Sequence, residues 1–147
     1  MTNTTFHDKI ELTELANKLF MYTDARQWQQ LLDEVFTEEI WFDMSSAGAG
    51  EPSAITAQSL CDLWNKGFET LDQVHHQAGH YLIDINEKQA TIFGYAITTH
   101  YKENAAKGKT RTFVGSYDLK AARTTNGWRL SQFKYNLKYI DGNVTLE

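Results

Sequence analysis

Three of the chain's five histidines lie within six residues, in the segment QVHHQAGH that begins at Gln73 and ends at His80. Histidines bind a metal when several ring nitrogens reach one ion at about 2 Å. The alternating residues after Gly79 predict a strand here, and neighbours on a strand point to opposite faces. His76 and His80 would then be about 13 Å apart, so we expect no metal site. His76 remains as a hydrogen-bonded strand-end residue or as the histidine of a pocket.

His100 lies near the end of a second predicted strand, Ala90 to Tyr101. Strand alternation places His100 on one face with three small residues, which leave room for a ligand or for a closely approaching helix. These small residues are Gly94, Ala96 and Thr98. The alternative is an exposed histidine at the end of a strand.

Asp24 opens the segment Asp-Ala-Arg-Gln, which has the spacing of a capping box at the start of a helix. An aspartate in that position stabilises a helix by about 1 kcal/mol without any further role. A carboxylate beside an imidazole also supports general base catalysis near neutral pH. The two roles do not exclude each other.

Composition excludes several classes of protein. The chain has 147 residues and a formal net charge of −5, with no basic stripe for a nucleic acid. Its one cysteine, Cys61, cannot form an internal disulfide, which is typical of a reducing compartment. No apolar run reaches the roughly 18 residues of a membrane span, and the first residues do not have the pattern of a signal peptide. We expect a cytoplasmic protein without a membrane segment.

The order of predicted elements favours an α+β fold in a single domain, residues 1–147. Three helices are predicted first, from Asp8 (with Asp8 and Glu11 as a capping box), from Asp24, and from about Ser53 or Thr56 to Gly67. A short aromatic strand lies between the second and third helices, and long antiparallel strands follow from Val74. A curved, cone-shaped sheet wrapped around the three helices would leave an apolar pocket between the two layers.

This order, together with five short motifs, resembles the SnoaL-like group of the nuclear transport factor 2-like superfamily, in its scytalone dehydratase-like branch. The motifs are Asp24 four residues before Trp28, His76-Gln77-Ala78-Gly79, Thr98-Thr99-His100-Tyr101, Gly115-Ser116-Tyr117-Asp118 and Gly127-Trp128-Arg129-Leu130.

The resemblance implies a lyase with Asp24, His76 and His100 as its catalytic residues. A small hydrophobic cyclic or polyketide-like carbonyl compound would bind in the pocket. His100, oriented by Asp24 and assisted by His76, would remove a proton beside the carbonyl group, giving dehydration or, without a leaving group, isomerisation. No cofactor is expected, because the chain has no glycine-rich phosphate loop and no metal constellation.

Aromatic and sulfur-containing residues are the predicted substrate contacts, with a tyrosine hydroxyl (Tyr117 is one choice) steadying the enolate oxygen. This predicted set is Tyr22, Trp41, Met44, Tyr95, Tyr117 and Tyr135. Thr23 and Met44 stand where scytalone dehydratase has tyrosines, and Tyr117 stands where it has an asparagine.

Two other classes remain open. A non-catalytic binding module would have its pocket filled by aromatic residues such as Trp41, Phe93 and Phe113. An epoxide hydrolase of this superfamily would need an Asp–Arg–Asp set, whereas Arg111 and Arg129 are predicted on the surface.

A homodimer or homotrimer is also expected, formed through an outer sheet face. That face is predicted to carry Phe133, Tyr135 and Tyr139.

Overall fold

Three helical segments precede or interrupt the strands in the computed structural model, which describes residues 3–147. Helix α1 is Asn3–Asp24, and helix α2 is the short segment Trp28–Gln30, which continues into a π-helical turn at Leu31–Val35. Helix α3 is Ala57–Gly67, and its first turn is capped by Thr56, whose side chain accepts a hydrogen bond from the Ser59 backbone. The three predicted helical regions are therefore present.

The strands form one curved, unclosed, mixed sheet in the order β2-β1-β6-β5-β4-β3. All neighbouring pairs are antiparallel except β1 and β6, which are parallel. The strands are β1 Phe36–Asp43, β2 Ser53–Thr56, β3 Gln73–Asn86, β4 Gln89–Tyr101, β5 Thr110–Thr124 and β6 Gly127–Gly142. The predicted α+β class with a curved sheet is confirmed.

Of the two starts predicted for the third helix, Thr56 is confirmed as its N-cap residue, whereas Ser53 is wrong because it lies in strand β2. Ser53 pairs with Phe42 across β1 and β2, and the chain becomes helical only after Thr56. A four-residue edge strand has no periodicity of its own, so the helical pattern that follows it dominated the prediction.

Helix α1 extends further in both directions than its sequence pattern indicated. Asp8 lies inside the helix and not at its cap, where its buried carboxylate accepts hydrogen bonds from Arg123 and Trp128. Asp24 is the last residue of α1, and α2 follows Gln27 with no side-chain cap. The predicted capping role of Asp24 is therefore wrong, which leaves its carboxylate free for another partner.

The sheet has a concave face against the helices and an opposite, outer face. On β4, Ala96 and Thr98 are buried on the concave face whereas Ile97 is exposed, as the alternation predicted. Phe133 and Tyr135 of β6 are also buried on the concave side, so they cannot form the expected outer contact surface. Both faces of β6 carry aromatic residues, and alternation alone does not say which of them faces inward.

Tyr139 is the one member of that predicted outer patch that lies outside, with 57% of its surface exposed. The β5–β6 ladder has a bulge at this point: Gly115 pairs with Leu137, but the preceding residue, Val114, pairs with Tyr139, so Lys138 is the extra residue. This bulge turns the end of β6 over, so that Tyr139 does not follow Tyr135 and Leu137 onto the concave side.

No helix among residues 3–147 is long and apolar enough to cross a membrane.

Candidate active site

An apolar cavity of about 150 Å³ lies between the helices and the concave face of the sheet. Every strand from β3 to β6 contributes to its wall, together with α1, α3, the residue after α3 and the residue after β1. The wall consists of Leu19, Phe20, Thr23, Met44, Trp64, Phe68, His76, Thr98, His100, Phe113, Tyr117, Phe133 and Tyr135. Its few polar groups are therefore surrounded by aromatic rings.

Asp24 and His76 form a hydrogen-bonded pair at one side of this cavity. Asp24 Oδ1 is 2.5 Å from His76 Nδ1, and Asp24 Oδ2 accepts the backbone N–H of His76 at 2.8 Å. The two side chains are only 17% and 10% exposed. A carboxylate can only accept, so Nδ1 carries the ring proton and the lone pair of the neutral ring is on Nε2. That is the tautomer required of a general base.

His100 lies on the same concave face, close to His76. His76 is opposite Thr98 in the β3–β4 ladder, and His100 is two residues further along β4. Diagonal neighbours of this kind have Cα atoms about 7 to 8 Å apart. Asp24 therefore holds His76 and not His100, which corrects the expected pairing.

Arg111 is the partner of His100. Its Nε donates to His100 Nδ1 at 3.0 Å, and its Nη1 donates to the Val144 carbonyl at 3.0 Å. Arg111 is partly buried, which corrects its predicted surface position. Burial first, and then the Arg111 guanidinium and the neighbouring His76 ring, lower the pKa of His100 to about 4. The ring is therefore neutral at neutral pH.

Three of the six predicted substrate contacts line the cavity: Met44, Tyr117 and Tyr135. Burial raises the pKa of both phenols, that of Tyr135 to about 12, so both keep their protons. Thr98 lies close enough to the Tyr117 phenol to oppose part of this rise in pKa, although the Thr98 hydroxyl has no regular hydrogen-bond partner within residues 3–147.

The Tyr135 hydroxyl is packed against Gly115 and has no hydrogen-bond partner in the described part of the chain. A Cβ atom at Gly115 would lie 2.6 Å from this oxygen and 2.3 Å from the Asn136 carbonyl oxygen. Only glycine permits this approach, so the ring position of Tyr135 in the cavity wall depends on Gly115.

The other three predicted contacts lie elsewhere. Tyr22 donates its hydroxyl to Glu34 at 3.1 Å, away from the cavity. Trp41 and Tyr95 are 47% and 46% exposed on the outer face, where Lys138 lies over the Tyr95 ring at 4.2 Å. Alternation explains Tyr95, because it lies on the strand face opposite His100.

The two remaining histidines of the QVHHQAGH segment face outward. His75 contacts Gln77 at 3.3 Å, and His80 lies in a bulge of β3 with a left-handed φ of 56°. Among the described residues, no three His, Cys, Asp or Glu side chains are grouped to hold a metal ion.

Several wall residues were not predicted, notably Phe20, Trp64 and Phe68. Their apolar side chains gave only a core signal, which does not distinguish a packed interior from a cavity wall. Of the aromatic residues proposed to fill the pocket of a binding module, Phe113 reaches the cavity, whereas Trp41 and Phe93 do not.

The sequence profile of the SnoaL-like domain matches residues 4–134, and the chain therefore belongs to the SnoaL-like domain family. No curated protein matches the chain significantly. Among solved structures, the Kfla4162 protein of Kribbella flavida is similar over 97% of each chain, with 26% sequence identity and a TM-score of 0.91.

Two more distant structures share the fold. A candidate scytalone dehydratase from Novosphingobium aromaticivorans is 11% identical over 96% of this chain and 91% of its own, with a TM-score of 0.81. The hexachlorocyclohexane dehydrochlorinase LinA-type3 from Novosphingobium barchaimii is 12% identical over 93% and 90%, with a TM-score of 0.78. At these identities the likeness concerns the fold.

Proposed function

We propose that this protein is a lyase that acts, without a cofactor, on a small cyclic carbonyl compound, with His76 as the general base. The observation that carries the proposal is the Asp24–His76 hydrogen bond of 2.5 Å in the wall of an apolar cavity. A carboxylate that fixes the imidazole tautomer and stabilises the imidazolium is the arrangement that general base catalysis requires.

The reaction begins when His76 Nε2 takes a proton from the carbon beside the substrate carbonyl. The electrons of the broken C–H bond form the enolate, and Asp24 stabilises the imidazolium. The enolate then expels a hydroxyl group from the next carbon, and the imidazolium returns its proton to that group. Water and a conjugated carbonyl compound result, so the protons and electrons balance.

The cavity limits the size and charge of the substrate. Its volume of about 150 Å³ is comparable with that of apolar protein cavities that hold one benzene ring. Its wall is mostly aromatic and, among residues 3–147, includes no acidic side chain. Asp24 contacts the wall through its hydrogen bonds to His76. We infer a neutral substrate with a single ring.

Two structural relatives support the reaction class. One is described as a candidate scytalone dehydratase and the other as a hexachlorocyclohexane dehydrochlorinase, and these names denote loss of water and of hydrogen chloride. The family and the cavity are compatible with the same class of elimination here.

An isomerase is the second candidate. After His76 has removed the proton, it could return this proton to a different carbon of the substrate. Both reactions begin with the same proton removal. A non-catalytic binding protein would show neither step.

The test uses cyclohexanone and its β-hydroxy derivative. Proton NMR in heavy water measures exchange of the cyclohexanone α-protons, and ultraviolet absorbance measures formation of the conjugated enone. We expect both reactions in the wild type and a loss of about 100-fold or more in His76→Gln.

His75→Gln is the matched control, since His75 is the neighbouring residue on the outer face and should change neither rate. Exchange without elimination would favour the isomerase. Absence of exchange, or equal rates in His76→Gln and the wild type, would overturn the proposed base.

A further inference from the structure

We propose that Arg111 is a positioning residue that holds His100 as a neutral ring with its proton on Nε2, so that His100 donates a hydrogen bond and does not act as a base. The geometry behind this is the 3.0 Å contact from Arg111 Nε to His100 Nδ1. A guanidinium only donates, so Nδ1 must be the unprotonated nitrogen.

The Arg111 guanidinium is itself held in place by other contacts, so the fold maintains the tautomer of His100. Arg111 is opposite His100 in the β4–β5 ladder, and its Nη1 is bound to the carbonyl oxygen of Val144. Its Cζ lies 5.6 Å from the centre of the Phe113 ring. The strand pairing, the Val144 carbonyl and the Phe113 ring therefore together hold the Arg111 guanidinium against the His100 ring.

The charged groups around His100 oppose protonation of its ring. Arg111 approaches from β5 and His76 from β3, and both lower the pKa of His100, whereas Asp24 at the end of α1 raises it. Asp24 already accepts two hydrogen bonds from His76. The other neighbours are the aromatic rings of Phe68 and Phe113, which accept no proton.

Two histidines of one cavity therefore have opposite properties. In its neutral form His76 has its lone pair on Nε2, because Asp24 accepts from Nδ1, and His100 has a proton on Nε2, because Arg111 donates to Nδ1. No residue of the described chain is hydrogen-bonded to either Nε2. His100 would donate to the substrate's carbonyl oxygen and stabilise the enolate; this last step rests on the proposed function, whereas the tautomer does not.

Nitrogen-15 NMR of the histidine rings in the full chain tests the tautomer directly. At about pH 7 we expect a pyridine-type Nδ1 and a pyrrole-type Nε2 in His100. Arg111→Met should give a mixture of tautomers and a higher pKa of His100. Arg111→Lys keeps the charge but lacks the Nε–H donor, so it should also mix the tautomers, with a smaller rise in the pKa.

Arg129→Met is the control, because Arg129 donates to the Trp128 and Asp33 carbonyl groups outside the cavity. It should leave the His100 spectrum unchanged. A wild-type His100 with its proton on Nδ1, or one that is charged at neutral pH, would overturn the proposal. So would an Arg111→Met spectrum identical to that of the wild type.

Cyclohexanone exchange separates this inference from the proposed function. If His76 is the base, Arg111→Met should slow exchange by roughly tenfold, because the donor is present in only part of the molecules. Unchanged exchange in Arg111→Met would refute the role of His100 toward the substrate oxygen. If the wild type shows no exchange but the expected His100 spectrum, the proposed function fails while the positioning role of Arg111 stands.

Discussion

Helix α1 carries two aspartates that bind the sheet, Asp8 toward its start and Asp24 at its end, and they differ in the kind of partner they hold. Asp8 accepts from Arg123 Nη2 at 2.5 Å and from Trp128 Nε1 at 3.1 Å. Asp24 accepts the backbone N–H and the ring Nδ1–H of His76. Each carboxylate thus receives two hydrogen bonds from the strands.

The two contacts differ in whether the partner of the aspartate can exchange a proton with a bound molecule. The Arg123 guanidinium packs over the Trp128 ring at 4.4 Å, and neither group exchanges protons near neutral pH. The Asp8 contact is therefore closed and serves the fold. His76 has a second nitrogen, and its ring lines the cavity, so the Asp24 contact can act on a bound molecule. An aspartate that binds the sheet becomes part of a candidate site only when its partner can exchange a proton with a ligand.

The largest effect is expected for Asp24→Asn. Asparagine can still accept one hydrogen bond from His76, but it cannot stabilise the imidazolium that forms when His76 takes a proton. The rate of cyclohexanone exchange should fall by about 10²- to 10⁴-fold. Circular dichroism would check that the variant remains folded, and a wild-type exchange rate would show that Asp24 has no part in proton removal.

The same substitution near the start of helix α1, Asp8→Asn, should lower stability and leave the reaction unchanged. Arg123, whose side chain is 36% exposed, would lose the charge of its buried acceptor, which we expect to lower the free energy of unfolding by about 2 to 3 kcal/mol. Denaturant titration measures this loss. The exchange rate per folded molecule should remain that of the wild type, and a large fall in that rate would mean that the two ends of the helix are coupled.

The two ends should also respond to different pH ranges. The pKa of His100 is lowered from its ordinary 6.5 to about 4, so the unfolded chain binds more protons between these values. Stability from this group is complete above about pH 6.5 and is lost as the pH falls toward 4. The loss is on the order of 2 kcal/mol at most, since the ring is only half-buried.

Asp8 contributes in a lower range. Its hydrogen bond from Arg123 lowers its pKa, so its contribution is present above the unfolded value near 3.8 and is lost as the pH falls through the folded value. Thermal unfolding between about pH 2 and 7 would separate the two groups. His100→Gln should flatten only the upper part of the curve and Asp8→Asn only the lower part; a flattening in the other range would contradict the assignment.

Local patterns predicted much of the fold and part of the site. The alternation of β4 placed His100 on the same face as Gly94, Ala96 and Thr98, whose small side chains leave room for a cavity. The same rule separated His75 from His76 across the sheet. Such predictions need only the period of a strand, which the sequence shows directly.

Partner choice could not be predicted in the same way. Whether Asp24 meets His76 or His100 depends on where helix α1 ends and how it packs on β3, and the capping pattern after Asp24 pointed to the wrong helix. The contact between Arg111 and His100 depends on the β4–β5 register, which the loop between Tyr101 and Thr110 leaves open. Long-range pairing, and not local propensity, decided both.

The smallest effect is expected for Tyr135→Phe, in the wall of the cavity that His76 also lines. Asp8 has donors on both of its oxygens, whereas the Tyr135 hydroxyl is buried against Gly115 without a partner in the described chain. Removing a buried hydroxyl that forms no hydrogen bond relieves its desolvation cost, so the free energy of unfolding should stay equal or rise by up to about 1 kcal/mol. Denaturant titration measures the change, and Tyr139→Phe, at an exposed ring, is the control. A loss of stability in Tyr135→Phe would mean that this hydroxyl has a partner, such as a water molecule in the cavity, and that the cavity end is better satisfied than its protein contacts indicate.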